Sequence, residues 1–139
     1  MKWITDRTHS DVMLGNEKGQ YTYQDLNRVE LAVKELSALA KALDVQFDPV
    51  VKLDWQMLDT FSPESWPVES QMRRYLENVQ VLCSAIIGAA ELPVTMDNLT
   101  WEGANQIERA LAQTEEQIQK ILTIFRYSGE LYAAEEAET

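Results

Sequence analysis

Few residues in this chain could act as a nucleophile, a base or a metal ligand. His9 is the single histidine and Cys83 the single cysteine. Ser10 follows His9, but neighbours on a chain do not make a nucleophile and its base. A triad also needs a third, orienting group and an oxyanion site. His9 lies at an expected helix start and reads as a solvent-facing residue. Cys83 stands in Val81-Leu82-Cys83-Ser84-Ala85-Ile86. Those apolar neighbours differ from the basic, accessible setting that activates a thiol, so a core thiol is expected. One cysteine and one histidine cannot furnish a zinc site, which takes several such ligands at set spacing. The glycines at 15, 19, 88, 103 and 129 form no phosphate-cradling loop. No window has the alternating Asp/Asn ligands, central Gly and closing Glu of a calcium loop. A pair of acids among 23 is no signature of a two-carboxylate hydrolase. The expectation is a protein without enzyme activity, cofactor or metal, which works by contact.

The aromatic residues are the candidates for that contact. Trp3, Trp55, Trp66 and Trp101 all lie at or outside expected helix starts. Tyr21 and Tyr23 flank the second start, and Tyr127 and Tyr132 follow the last helix. Such rings either plug the ends of a helical bundle or stand as interface anchors, where Trp and Tyr concentrate. The candidate interface residues are Trp3, Tyr23, Trp55, Trp66, Trp101 and Tyr127.

Charge narrows the partners. Twelve Lys and Arg face 23 Asp and Glu, for a formal charge of −11. Duplex binders cluster the opposite sign to neutralise phosphates, so direct nucleic-acid binding is not expected. An acidic surface suits a place in a larger assembly or a basic partner. The partners expected are other proteins of an assembly or copies of the chain itself. On charge alone, an inhibitor that mimics DNA and binds a basic protein is the alternative. A lone cysteine implies no internal disulfide. Polar residues come too early in Met1–Asp11 for a secretory signal. The longest uncharged stretch, Asn78 to Ala90, is well short of the ~20 residues that cross a bilayer. Folding in a cytoplasm, without membrane association, is therefore expected.

The elements that must position these residues are helices. The length of 139 residues suits one domain with a real core. Thr8 is positioned to cap a first, short helix running to about Lys18, with Gly19 as its stop. Thr22 caps the second, with Asp25 near the third helical position. Leu26, Val29, Val33, Leu36, Ala40 and Leu43 then alternate steps of three and four, the spacing of a helix packed along a neighbour. Pro49 and Pro63 forbid a continuous helix across Asp44 to Trp66, and Val50 to Trp55 reads as extended. A third helix begins near Pro67, with a seam of Val68, Met72, Tyr75, Val79, Leu82 and Ile86, and stops at Gly88 and Pro93. A fourth begins at Thr100 with a seam of Ala104, Ile107, Leu111, Thr114, Ile118, Ile121 and Phe125. Glu102, Glu108, Glu115, Glu116 and Gln119 lie off that seam. The expected fold is all-α: three long helices of similar length in an up-down bundle plus a short N-terminal helix. One domain covers residues 1–132, and an acidic, frayed tail covers 133–139.

Two helix starts echo one another. Thr22-Tyr23-Gln24-Asp25-Leu26-Asn27-Arg28-Val29-Glu30 aligns with Thr100-Trp101-Glu102-Gly103-Ala104-Asn105-Gln106-Ile107-Glu108. The Thr, Asn and Glu positions coincide. Either the same rules built two helix starts, or both starts dock a similar partner or one another. Asn favours a helix interior poorly, so Asn27 and Asn105 are expected to bond backbone groups of a neighbouring segment such as 44–66.

Several phrases carry a resemblance together. They are Trp3-Ile4-Thr5-Asp6-Arg7-Thr8, Tyr21 to Glu30, Lys52-Leu53-Asp54-Trp55, Met72 to Val79, Leu99 to Glu108, and Arg126-Tyr127-Ser128-Gly129-Glu130-Leu131. In this order they resemble a group of small proteins encoded in phages and prophages of Gram-positive gut and soil bacteria. Those proteins sit among tail and baseplate genes. The resemblance implies a virion or tail-assembly role by genomic company. It would make the cytoplasm a bacterial host's during assembly. It brings no catalytic residues. It also implies a longer first helix than Gly15 permits.

Overall fold

The computed structural model describes residues 1–56, 69–97 and 99–138, with side chains given for these except at 17 and 126–138. The chain is all-α. Helix α1 spans His9–Leu14, α2 Tyr23–Ala40, α3 Glu69–Ile87 and α4 Trp101–Glu138, with 3-10 turns at Glu17–Gly19 and Lys41–Leu43. The three long helices pack on one another pairwise.

The seams read from spacing are the core. Leu26, Val29, Val33, Leu36 and Ala40 of α2 meet Tyr75, Leu76, Val79, Leu82 and Cys83 of α3. Ala104, Ile107, Leu111, Thr114 and Ile118 close the core from α4. Thr114 enters this apolar layer because its hydroxyl donates to the Ala110 carbonyl one turn back, at 2.8 Å. The helix starts are capped as their sequences require. Thr8 and Thr22 each form a reciprocal capping box, with Asp11 and Asp25 respectively. Thr100 Oγ1 accepts from Gly103 N at 3.1 Å.

Four expectations change. First, α1 stops at Leu14, because Gly15 takes a left-handed conformation (φ 65°). The chain then tightens into the Glu17–Gly19 turn instead of continuing to Lys18. Second, α4 is not matched to its neighbours: it has 38 residues against 18 and 19 for α2 and α3. Its helix spans Trp101–Glu138. No proline interrupts 101–138, and Ala, Glu and Leu are good helix formers. Third, the seam residue Phe125 is exposed (58%), because α4 has by then outrun the bundle. Fourth, Glu108, expected off the seam, is fully buried. Pro67 and Val68 lie outside the described residues.

Between α2 and α3 the chain reverses through Asp44, whose φ of 65° is a conformation that a short polar side chain tolerates. It then runs extended, with burial alternating at every second residue. Val45, Phe47 and Val51 turn to the core, while Gln46, Asp48 and Val50 turn to solvent. That period of two is the geometry of a strand, yet there is no strand among the described residues. Side chains of the helices, and not a neighbouring strand, hold this segment's backbone.

Candidate functional site

Two extended straps, residues 1–8 and 50–56, each lie on a helix, and the helices grip them alike. On α2, Asn27 Oδ1 accepts from Trp55 N at 2.8 Å while its Nδ2 donates to Trp55 O at 3.0 Å. Three residues back along the strap, Lys52 N donates to Glu30 Oε2 at 3.0 Å. The Trp55 indole N–H donates to the same oxygen at 2.6 Å. Arg74 of α3 completes the carboxylate's partners at 2.6 Å.

On α4 the arrangement repeats. Asn105 Oδ1 accepts from Arg7 N at 3.1 Å, and its Nδ2 donates to Arg7 O at 2.9 Å. Three residues back, Ile4 N donates to Glu108 Oε1 at 3.1 Å. The Arg7 guanidinium donates to Glu108 Oε2 at 2.6 Å. Arg28 of α2 is the neighbouring helix's arginine on that carboxylate. Each Asn thus satisfies both backbone groups of one strap residue. Each Glu takes an amide three residues earlier, the side chain of the clamped residue and one helical arginine. Asn and Glu stand three apart on a helix and share a face. The strap residues they hold are also three apart.

The sequence echo is therefore the mark of this device. Asn27 binds the 44–66 segment as expected, whereas Asn105 binds the N-terminal strap. The arginines were not singled out from the sequence. Arg7, Arg28, Asp25 and Glu108 form a ring of alternating charge: Asp25 Oδ1 lies 2.7 Å from Arg28 and 3.4 Å from Arg7. Arg7 is 3% exposed and also stacks over the Tyr21 ring, 5.5 Å from its centroid. For the charged partners, the sequence offered only the coincidence of Glu30 with Glu108. The arginines come from three separate elements, and no local pattern joins them.

The candidate aromatics serve different places. Trp55 is buried and belongs to the core, so it is not an anchor exposed to a partner. Trp3 is half-buried with its indole N–H on Glu115 Oε1 at 3.3 Å. Tyr23 is half-buried against the core. Trp101, also half-buried, borders a cavity of about 350 Å³ between α1 and the start of α4, which Arg7, His9 and Lys18 also line. Trp66 and the Tyr127 side chain lie outside the described residues.

The lone cysteine and histidine and the buried tyrosines sit in different settings. Cys83 is buried, and burial raises its thiol pKa against a small opposing bond from Thr114. His9 is exposed. The Tyr21 and Tyr75 hydroxyls hydrogen-bond to one another. Burial raises both phenol pKa values, so they stay protonated. Among the described residues no three His, Cys, Asp or Glu side chains gather as a metal site would need. No described helix is long and apolar enough to cross a membrane.

Exposed apolar residues stand together at two places. Val12, Met13 and Leu14 of α1 are 42%, 74% and 78% exposed, and α1 buries no residue. Ile124 and Phe125 are exposed where α4 leaves the bundle. No family model, curated protein or solved structure matches the chain.

Proposed function

We propose that this chain is a non-enzymatic structural protein of a phage tail or baseplate, acting through contacts with other virion proteins or with copies of itself. The reading rests on the resemblance of the ordered sequence phrases to those of phage-encoded proteins. The observation that carries it is the consecutive exposed run Val12-Met13-Leu14 on a helix that buries nothing. A solvated helix would not need three neighbouring apolar residues, whereas a docking face does. The polar groups most able to engage a ligand are engaged inside the fold instead, where Glu30 and Glu108 hold straps.

The DNA-mimic alternative would use the carboxylates that stay outside, among them Asp48, Asp54 and Glu69, and predicts tight, salt-sensitive binding to a basic protein. On the structural reading the protein is made in the host cytoplasm and carried in the particle. Mass spectrometry of purified particles tests this: peptides of this chain at a fixed ratio to tail proteins are expected. Their absence from particles whose genome encodes the chain would rule the reading out. In binding assays, Met13→Ser with Leu14→Ser should weaken capture by tail proteins at least tenfold without moving the melting temperature.

A further inference from the structure

We propose that residues 1–19 exchange between two copies of this chain, each N-terminal strap seating in the other copy's α4 cleft of Asn105, Glu108 and Glu115. This deepens the contact role above by naming one partner, a second copy.

The N-terminal arm is built as a separable piece. Its outer part, α1 with the Glu17–Gly19 turn, is internally tight. The Asn16 side chain bridges Asp11 and Gly19 N, and Gly19 sits so close that a Cβ there would lie 2.2 Å from the Asp11 carbonyl oxygen. Toward the rest of the molecule it is loose. None of its α1 residues is buried, its closest packing is on its own turn, and a 350 Å³ cavity lies between it and the start of α4. The arm is held by its strap instead, through Arg7 on Asn105 and Glu108, Ile4 N on Glu108, and Trp3 on Glu115. Gln20, exposed and extended (φ −112°, ψ 117°), joins this piece to Tyr21, which is anchored on Tyr75. A swing at Gln20 moves the whole arm and breaks no helix.

Every bond of the strap can be remade in a second copy, because cleft and strap carry their full complement of donors and acceptors in one sequence. Exchange of this kind costs little beyond the hinge and the loss of independent motion. It would also bring two copies of Val12-Met13-Leu14 into one particle.

The contrast with residues 50–56 is part of the case. They are gripped by the same Asn and Glu device, but Val45, Phe47 and Val51 anchor their approach in the core. They cannot leave without opening it.

The test uses full chains. One population carries Lys2→Cys on the exposed arm and the other Glu115→Cys in the cleft. They are mixed at high concentration, warmed toward the melting point, cooled, diluted and treated with a short bis-maleimide. Cross-linked dimers of one chain of each kind are expected, and adding Asn105→Ala to the cleft chain should lower their yield about tenfold. A doubly substituted single chain provides the internal link as a control for reach. If that control links while the mixture gives no inter-chain product, exchange does not occur. An inter-chain product indifferent to Asn105→Ala would mean association through another surface and would equally overturn the proposal. The unmodified chain, treated the same way and read by light scattering, should show a dimer that persists on dilution. A persistent monomer there counts against exchange even if a variant misfolds. Absence of the chain from particles would sink the assembly reading and leave this result untouched.

Discussion

Glu30 and Glu108 receive the same three kinds of donor, yet the strap residue beside Glu30 is a neutral tryptophan and the one beside Glu108 a buried arginine. On α2, the carboxylate is balanced by Arg74 alone, whose side chain is 24% exposed and can turn to water. On α4, two arginines and two carboxylates balance one another, and the Arg7 side chain at 2% exposure cannot reach water. The same recognition geometry is thus set in two dielectric environments. The comparison teaches that a shared hydrogen-bond pattern does not imply a shared energetic weight. What decides the weight is which partner is stranded when the pattern is broken.

The largest test removes the charges. Glu108→Gln should cost about 3–5 kcal/mol, because it removes the closest counter-charge of buried Arg7 and leaves only Asp25 at 3.4 Å. Glu30→Gln should cost about 1–3 kcal/mol, the scale of a broken buried hydrogen bond. Urea denaturation of both variants reads the difference, and equal losses would erase the distinction drawn here. Next come the clamps. Asn105→Ala and Asn27→Ala should each destabilise by about 1–3 kcal/mol although Ala favours a helix. The loss should be greater at Asn105, which is 4% exposed against a half-buried Asn27. Melting temperatures that hold or rise would show that the asparagines carry no structural duty.

A third test uses pH and acts on the Tyr21–Tyr75 pair, where Tyr21 lies beneath Arg7. Burial holds the Tyr21 and Tyr75 phenols protonated in the fold, while the unfolded chain releases these protons near pH ~10. Above that pH the unfolded state binds fewer protons than the native one, so stability falls as pH rises. Below it their contribution is fully present. Tyr75→Phe should flatten the loss between about pH 9 and about pH 11, by up to ~1.4 kcal/mol per pH unit. An unchanged slope would place the alkaline sensitivity elsewhere. The smallest effect concerns the caps. Thr22→Ala and Thr100→Ala should each cost about 0.5–2 kcal/mol. Thr22 should lose more, since its hydroxyl also donates to Asp25 Oδ2 at 3.4 Å, and Gly103 has no side chain to pair with Thr100.

These differences explain what could be read from the sequence. The steps of three and four placed Leu36, Val79 and Ile107 in the core correctly, because helical periodicity and burial are the same information. The Thr-Asn-Glu echo marked both grips, because each side chain's position on its helix is local. Charge pairing is not local: Arg7, Arg28 and Arg74 reach their carboxylates across 101, 80 and 44 positions of chain. For the same reason Glu108 read as a surface acid. The length of α4 was misjudged because a seam predicts a partner, and Phe125 continues the spacing after the partner has ended.

That extra length has a mechanical meaning. Among the α4 residues whose side chains are described, the last packed on the core is Leu122, and the helix continues to Glu138. At 1.5 Å per residue that length of helix is a rod of about 24 Å. In solution such a rod adds friction out of proportion to its mass. The chain should therefore sediment more slowly, and elute earlier from a sizing column, than a sphere of 15.9 kDa. Within an assembly the same rod sets a distance: anything attached at Glu138 stands off from the bundle by about two bundle-helix diameters.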